Sequence, residues 1–289
     1  MKRKVNSFTQ IGKPSDRGAP DNPVQSSLWE ESLPIDGPES REKKFERRTI
    51  QDVLFNEGLL AVRASADVST LRDLQDALTK QLGQNSKETR ERYAESILLW
   101  YFSDGLNGLA RRVWMAYKDE KIETDILRYI YLAAEPVMGR CVAEALFPLE
   151  NGMQIPPEYF DQYLKTFFGV EPPPKTKVRL KSNLMKIGFL DRARGKPDRL
   201  KPVIPARTSL LILLYHLFSQ KGPRTIELCH LLANPFWKFL GYKSEDAVRA
   251  VLQEANAAGF LSKYIVADQL EQVTTSMSAD EFLIGKVHL

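Results

Sequence analysis

The stretch TSLLILLYHLF, residues 208–218, is apolar on every side of a helix. A helix of this kind has no face to give to water, so other elements have to surround it. At 11 residues it is also far short of the roughly 20 that cross a bilayer. It therefore predicts a buried core helix in a globular protein. The 289 residues provide enough chain for two or three small domains built around such cores.

Everything N-terminal to that helix has a different texture. Residues 1–48 carry five of the chain's 17 prolines among Ser, Gly, Asp and Lys. So few apolar residues do not offset the entropy of ordering, and the segment is expected to be an arm. Phe8, Leu28 and Trp29 are its natural anchor points, with Trp29 the main partner-binding candidate. The opening MKRKVNSF is basic but has no apolar stretch behind it, which argues against a secretory signal. Cys141 and Cys229 are the only cysteines and lie too far apart to read as a motif. Two reduced thiols in a cytoplasmic protein is the expectation.

Residues 49–150 show the period of helices throughout. Asp67-Val68-Ser69-Thr70 supplies caps before LRDLQDALTKQL, and Asn85-Ser86 can cap KETRERYAESILLWYF. ARRVWMAYK and TDILRYIYLAAEPVMGRCVAEALF continue the pattern, with Pro136 starting or kinking the last helix. A bundle of about five helices is predicted. Residues 151–206 then read as helix, helix, glycine stop and two-stranded hairpin, with Val178, Leu184 and Ile187 turned inward. Residues 207–289 repeat that plan, with helices over 208–220 and 225–232, a Ser244-capped helix, a stop at Gly259 and a second hairpin. Aligning Gly188 with Gly259 superposes Phe189-Leu190 on Phe260-Leu261, and a one-residue gap brings Leu200 onto Leu270. The predicted fold class is mainly α: a helical bundle followed by two winged-helix-like units with short β-hairpins.

The two units differ in charge. Residues 175–201 hold ten basic side chains against Asp191 and Asp198, a net of +8 on a chain whose formal charge is +4. The ten are Lys175, Lys177, Arg179, Lys181, Lys186, Arg192, Arg194, Lys196, Arg199 and Lys201. The corresponding residues 244–277 hold two basic against five acidic side chains. In a winged helix the outer helix face enters a major groove and the wing reaches a neighbouring phosphate strand. The basic unit is therefore the expected duplex-DNA interface, with Asn183 and Ser182 placed to touch base edges. In the acidic unit, Phe236, Trp237, Phe239 and Tyr242 are candidates for a protein interface, although filling their own core explains them equally well. Arg90, Arg92, Arg111 and Arg112 read as ordinary solvated helix faces, as do Glu91 and Glu95.

No catalytic signature accompanies this. Walker A, G-x-G-x-x-G and G-x-S-x-G patterns are absent from the sequence. Cys229 and His230 are adjacent, and neighbours on a helix point apart, so no metal is expected there and no cofactor elsewhere.

Residues from about 55 to 205 resemble the BrxA family of BREX phage-defence systems. The resemblance is carried by NEGLL, by QNSKETRERYAESIL, by the apolar pair ILRYIYLAAEPVMGRCVAEALF, and by PPEYFDQYLKTFF followed by KTKVRLKSNLMKIGFL. It implies a small, largely helical, non-enzymatic DNA-binding subunit acting beside separate methyltransferase and ATPase subunits. Thr176, Lys177, Arg179 and Lys181 would lie on its DNA-facing helix. The long arm and everything after about residue 205 depart from the family. The expected partners are double-stranded DNA and other subunits of a defence complex, with self-association a further expectation and no membrane. A protein–protein adaptor and a stand-alone transcription regulator are the alternatives.

Overall fold

The computed structural model describes residues 50–192, 197–267 and 270–289. The arm with Phe8, Leu28 and Trp29, and the hairpin tip with Arg194 and Lys196, lie outside these residues. The described chain is mainly helical with two small antiparallel sheets.

The bundle comprises α1 (Phe55–Ala64), α2 (Leu71–Gln81), α3 (Lys87–Tyr101), α4 (Leu109–Tyr117), α5 (Glu120–Ala134) and α6 (Pro136–Arg140), the last running into a π turn at Cys141–Leu146. The predicted caps form: Thr70 and Ser86 accept from the backbone N–H three residues on. Pro136 stands in the first turn of α6, where its missing N–H costs nothing. Next come α7 (Tyr159–Phe168), α8 (Pro174–Lys186), β1 (Leu190–Asp191) and β2 (Arg199–Leu200). The C-terminal part contains α9 (Arg207–Phe218), β3 (Thr225–Glu227), α10 (Leu228–Ala233), α11 (Phe236–Leu240), α12 (Glu245–Ala257), β4 (Leu261–Ala267), β5 (Leu270–Thr275) and α13 (Ala279–Ile284). Thr225–Glu227, predicted as the start of a helix, is instead a strand. It pairs with β5, some fifty residues on.

The repeat seen in the sequence extends to backbone detail. Helices α8 and α12 each end on a left-handed glycine, Gly188 and Gly259. In each, the phenylalanine that follows donates its N–H five residues back, Phe189 to Leu184 O and Phe260 to Ala255 O, both at 2.8 Å. The pairing of the last strand has a partial parallel. In the C-terminal unit the strand order is β3-β5-β4, with the last strand central. In the other, β2 pairs with β1 on one side and with segment 152–155 on the other, through Gly152 N to Leu200 O and Leu200 N to Met153 O. The expected superposition of Leu200 on Leu270 is displaced, because β5 is longer than β2. Leu200 faces Leu190, and the residue facing Leu261 is Thr275.

Two cores result, and they share helices. The first gathers the bundle, α7, α8 and the β1–β2 hairpin; the second surrounds α9, in which Thr208 to Tyr215 are all buried. Each fully buried Leu or Ile there gains about 2 kcal/mol over exposure to water. Helix α5 sends Leu127, Tyr131 and Leu132 into the first core and Ile122 and Ile126 into the second. Helix α4 divides likewise between Ala110 and Val113. Asp125, buried on α5, ties the two parts polarly. Its carboxylate accepts from Ala206 N and Ser209 Oγ at the start of α9, and from Arg128 at 2.7 Å. Arg128 in turn donates to Ile187 O at the end of α8. Lys243 closes the seam by donating to the carbonyls of Leu146, Phe147 and Leu149.

Candidate functional site

Helix α8 rests on the first core through Thr176, Leu180, Asn183 and Leu184, with Ile187 just beyond it also buried. This rotates the helix away from the predicted orientation: Val178, expected inside, is 66% exposed. Two polar residues take the inward positions instead. Thr176 is buried, and Asn183 accepts from Val53 N and donates to Gln51 O (2.7 Å) and Tyr131 Oη (2.8 Å). Asn183 thus anchors the chain entering α1, and its amide has no group left for a base edge. Ser182 keeps a partly open position.

The outward ridge of α8 runs through Val178 and Ser182, four residues apart on one face, while Met185 beyond them is half-buried against the first core. Basic rows flank it, Lys177 and Lys181 on one side, Lys175, Arg179 and Lys186 on the other. Their charges are not equally available. Lys177 pairs with Asp161 of α7, and Lys186 with Asp52. Lys181 pairs with Asp198 at 2.8 Å, and Arg192 grips the same carboxylate through two nitrogens. Burial alone raises the Asp198 carboxyl, but the hydrogen bonds and charges of Arg192 and Lys181 outweigh it and hold it below the ordinary carboxylate value. Arg179, half-buried, makes a long contact to Ile50 O, 3.4 Å. Lys175, Arg199 and Lys201 are exposed, and none of the ion pairs among the described residues engages them. Among the described residues, the cations left open to an anion by the ion pairs are therefore Lys175 and the half-buried Arg179 on the helix and Arg199 and Lys201 on the hairpin.

The aromatic candidates of the other unit are interior. Phe236, Trp237 and Phe239 are fully buried, and Tyr242 is half-buried. Trp237 donates to Leu232 O and packs edge-on against Phe147, while Phe239 lies near Tyr129. Trp237 and Phe239 thereby join α11 to the bundle. Three of the additional arginines are clamps rather than a solvated face: Arg90 binds Thr79 O and Gln84 O, Arg111 binds Ser65 O, and Arg112 pairs with Asp280, whereas Arg92 is exposed as expected.

The C-terminal unit has its own exposed polar region. Arg249 is held by Glu245, Asp246 and Glu271, so the face of α12 presents acid bound to its only arginine. A groove of about 460 Å³ runs beside it, between α10 and the start of β5. Exposed Glu227 and Cys229 line it, and their ligand atoms lie within 4.8 Å of one another and of exposed His230. Among the described residues no helix is long and apolar enough to cross a membrane.

Comparison of the chain with family models, curated proteins and solved structures finds no match.

Proposed function

We propose that the chain is a non-enzymatic duplex-DNA-binding subunit of a multiprotein anti-phage assembly, with α8 and the β1–β2 hairpin as its DNA contact. The observation that carries this is the set of open cations, Lys175, Arg179, Arg199 and Lys201, contributed by a helix and the adjoining hairpin. In the C-terminal unit a strand, helices and a hairpin follow one another with the last strand central, and in the other an isolated bridge at Gln154 precedes two helices and a hairpin, an order compatible with a winged helix. That order supports a helix-plus-wing contact, in which the helix enters the groove and the wing reaches phosphates. The ridge of Val178 and Ser182 suits thymine methyls and base edges. The BrxA resemblance points in the same direction and supplies the defence context. The acidic α12 face repels DNA, which leaves the second winged helix and the arm for protein partners.

One observation favours an adaptor reading instead. Lys177, Lys181, Lys186 and Arg192 are already neutralised by carboxylates, which reduces the field available to phosphate. Gel shifts on mixed-sequence duplex separate the two. The DNA reading expects a shift from the full chain and its loss in Lys175→Glu/Arg199→Glu/Lys201→Glu, with the melting temperature unchanged. Absence of a shift in the wild-type chain favours the adaptor. Lys177 and Lys181 are poor test positions, because a glutamate there would oppose Asp161 or Asp198 and confound folding with binding.

A further inference from the structure

The segment Glu227-Leu228-Cys229-His230 lies where β3 runs into α10. A helix turns adjacent side chains about 100° apart, which is why Cys229 and His230 alone do not make a metal site. Glu227, however, is still extended, at φ −67° and ψ 132°, and its carboxylate reaches over the first turn of α10. Cys229 Sγ stands 3.7 Å and His230 Nδ1 3.9 Å from Glu227 Oε2. A tetrahedral zinc ion, with Zn–S about 2.3 Å and Zn–N and Zn–O about 2.0–2.1 Å, needs S···O near about 3.6 Å and N···O near about 3.3 Å. Small rotations of three exposed side chains cover the difference. No core hydrogen bond has to break for them to move.

The donor set also fits. Thiolate, imidazole and carboxylate are zinc's usual protein ligands, and three of them leave a coordination position open. A second feature lies on that side: the groove lined by Leu232, Arg249, Leu270 and Glu271 reaches Glu227 and Cys229. We propose that Glu227, Cys229 and His230 form a three-ligand zinc site whose fourth position opens onto this groove. The site is independent of the DNA contact, which lies on the other unit.

The test is titration of the reduced full-length protein with cobalt(II), followed by zinc(II). The expected result is one equivalent of cobalt bound, with a thiolate-to-cobalt charge-transfer band and the intense visible bands of tetrahedral coordination, all bleached by zinc. Cys229→Ser loses the charge-transfer band, and His230→Ala and Glu227→Gln lose the tetrahedral bands. Because all three residues are exposed, metal-free melting of each variant matches wild type. Absence of the band in the wild-type protein overturns the proposal. So does a band that survives Cys229→Ser, or a spectrum unchanged by both His230→Ala and Glu227→Gln. The second cysteine, Cys141, is buried and does not compete.

Discussion

Asn183 sits in the middle of the most basic helix, yet it belongs to the core. Its amide satisfies two backbone groups of segment 51–53 and the Tyr131 hydroxyl. Removing it strands those groups away from water, so Asn183→Ala is expected to cost about 2–4 kcal/mol of stability. Urea denaturation checks this, and duplex affinity of the folded variant is expected to stay at the wild-type level. A variant that folds normally and loses DNA would return Asn183 to base reading. Asp198 makes a separate prediction through pH. Its folded pKa lies below the unfolded carboxyl value of about 3.9, so its ion pairs stabilise fully above that value. The stabilisation is lost as pH falls through the lower, folded value. Asp198→Asn therefore weakens the protein at neutral pH and flattens this part of its acid limb, measurable by thermal melts between neutral and strongly acidic pH. The role of Asn183 is not written in sequence periodicity, because its partners lie far along the chain, whereas Asp198 pairs with Arg192 six residues before it.

Local signals placed most of the elements. Thr70, Ser86 and Ser244 cap where their spacing predicts, and the all-apolar α9 is enclosed as its composition requires. Strand β3 escaped notice because three residues become a strand only by pairing with β5. The rotation of α8 escaped notice because polar Thr176 and Asn183 replace apolar residues on its inner face. That one difference removes Asn183 from the candidate site and puts Val178 on it. Helix α11 ends like α8 and α12, with Gly241 at φ +104° and Tyr242 N donating to Trp237 O. Here a second constraint applies, since a Cβ on Gly241 would lie 2.5 Å from Val203 Cβ. Gly241→Ala thus combines backbone strain with a clash against the connector leading into α9. A loss of about 2–4 kcal/mol is expected in denaturant titrations, whereas an unchanged midpoint would show that the connector yields freely.

Across the whole molecule, the sequence suggests a boundary near residue 206 that the cores do not respect. Helices α4 and α5 contribute to both cores, and Asp125 with Arg128 binds the ends of α8 and α9 together. Trp100 reports on the first core and Trp237 on the second. Single-tryptophan variants of each are expected to show coincident urea transitions; two separated transitions would mean that the parts unfold independently. This coupling also fixes the charged face. Of the ten basic residues from 175 to 201, four are tied to carboxylates, two lie outside the described residues, and Lys175, Arg179, Arg199 and Lys201 remain open. The sequence shows where the basic residues cluster but not which of them are paired, because Asp52 and Asp161 come from other elements. The salt dependence of duplex binding, followed by fluorescence anisotropy, tests the DNA contact most directly. With about five phosphates neutralised, log K is expected to fall with log[salt] at a slope near about −4.5, and Lys175→Glu/Arg199→Glu/Lys201→Glu to make it shallower by about 3. Binding that is flat in salt, or a slope the triple variant leaves unchanged, would contradict it.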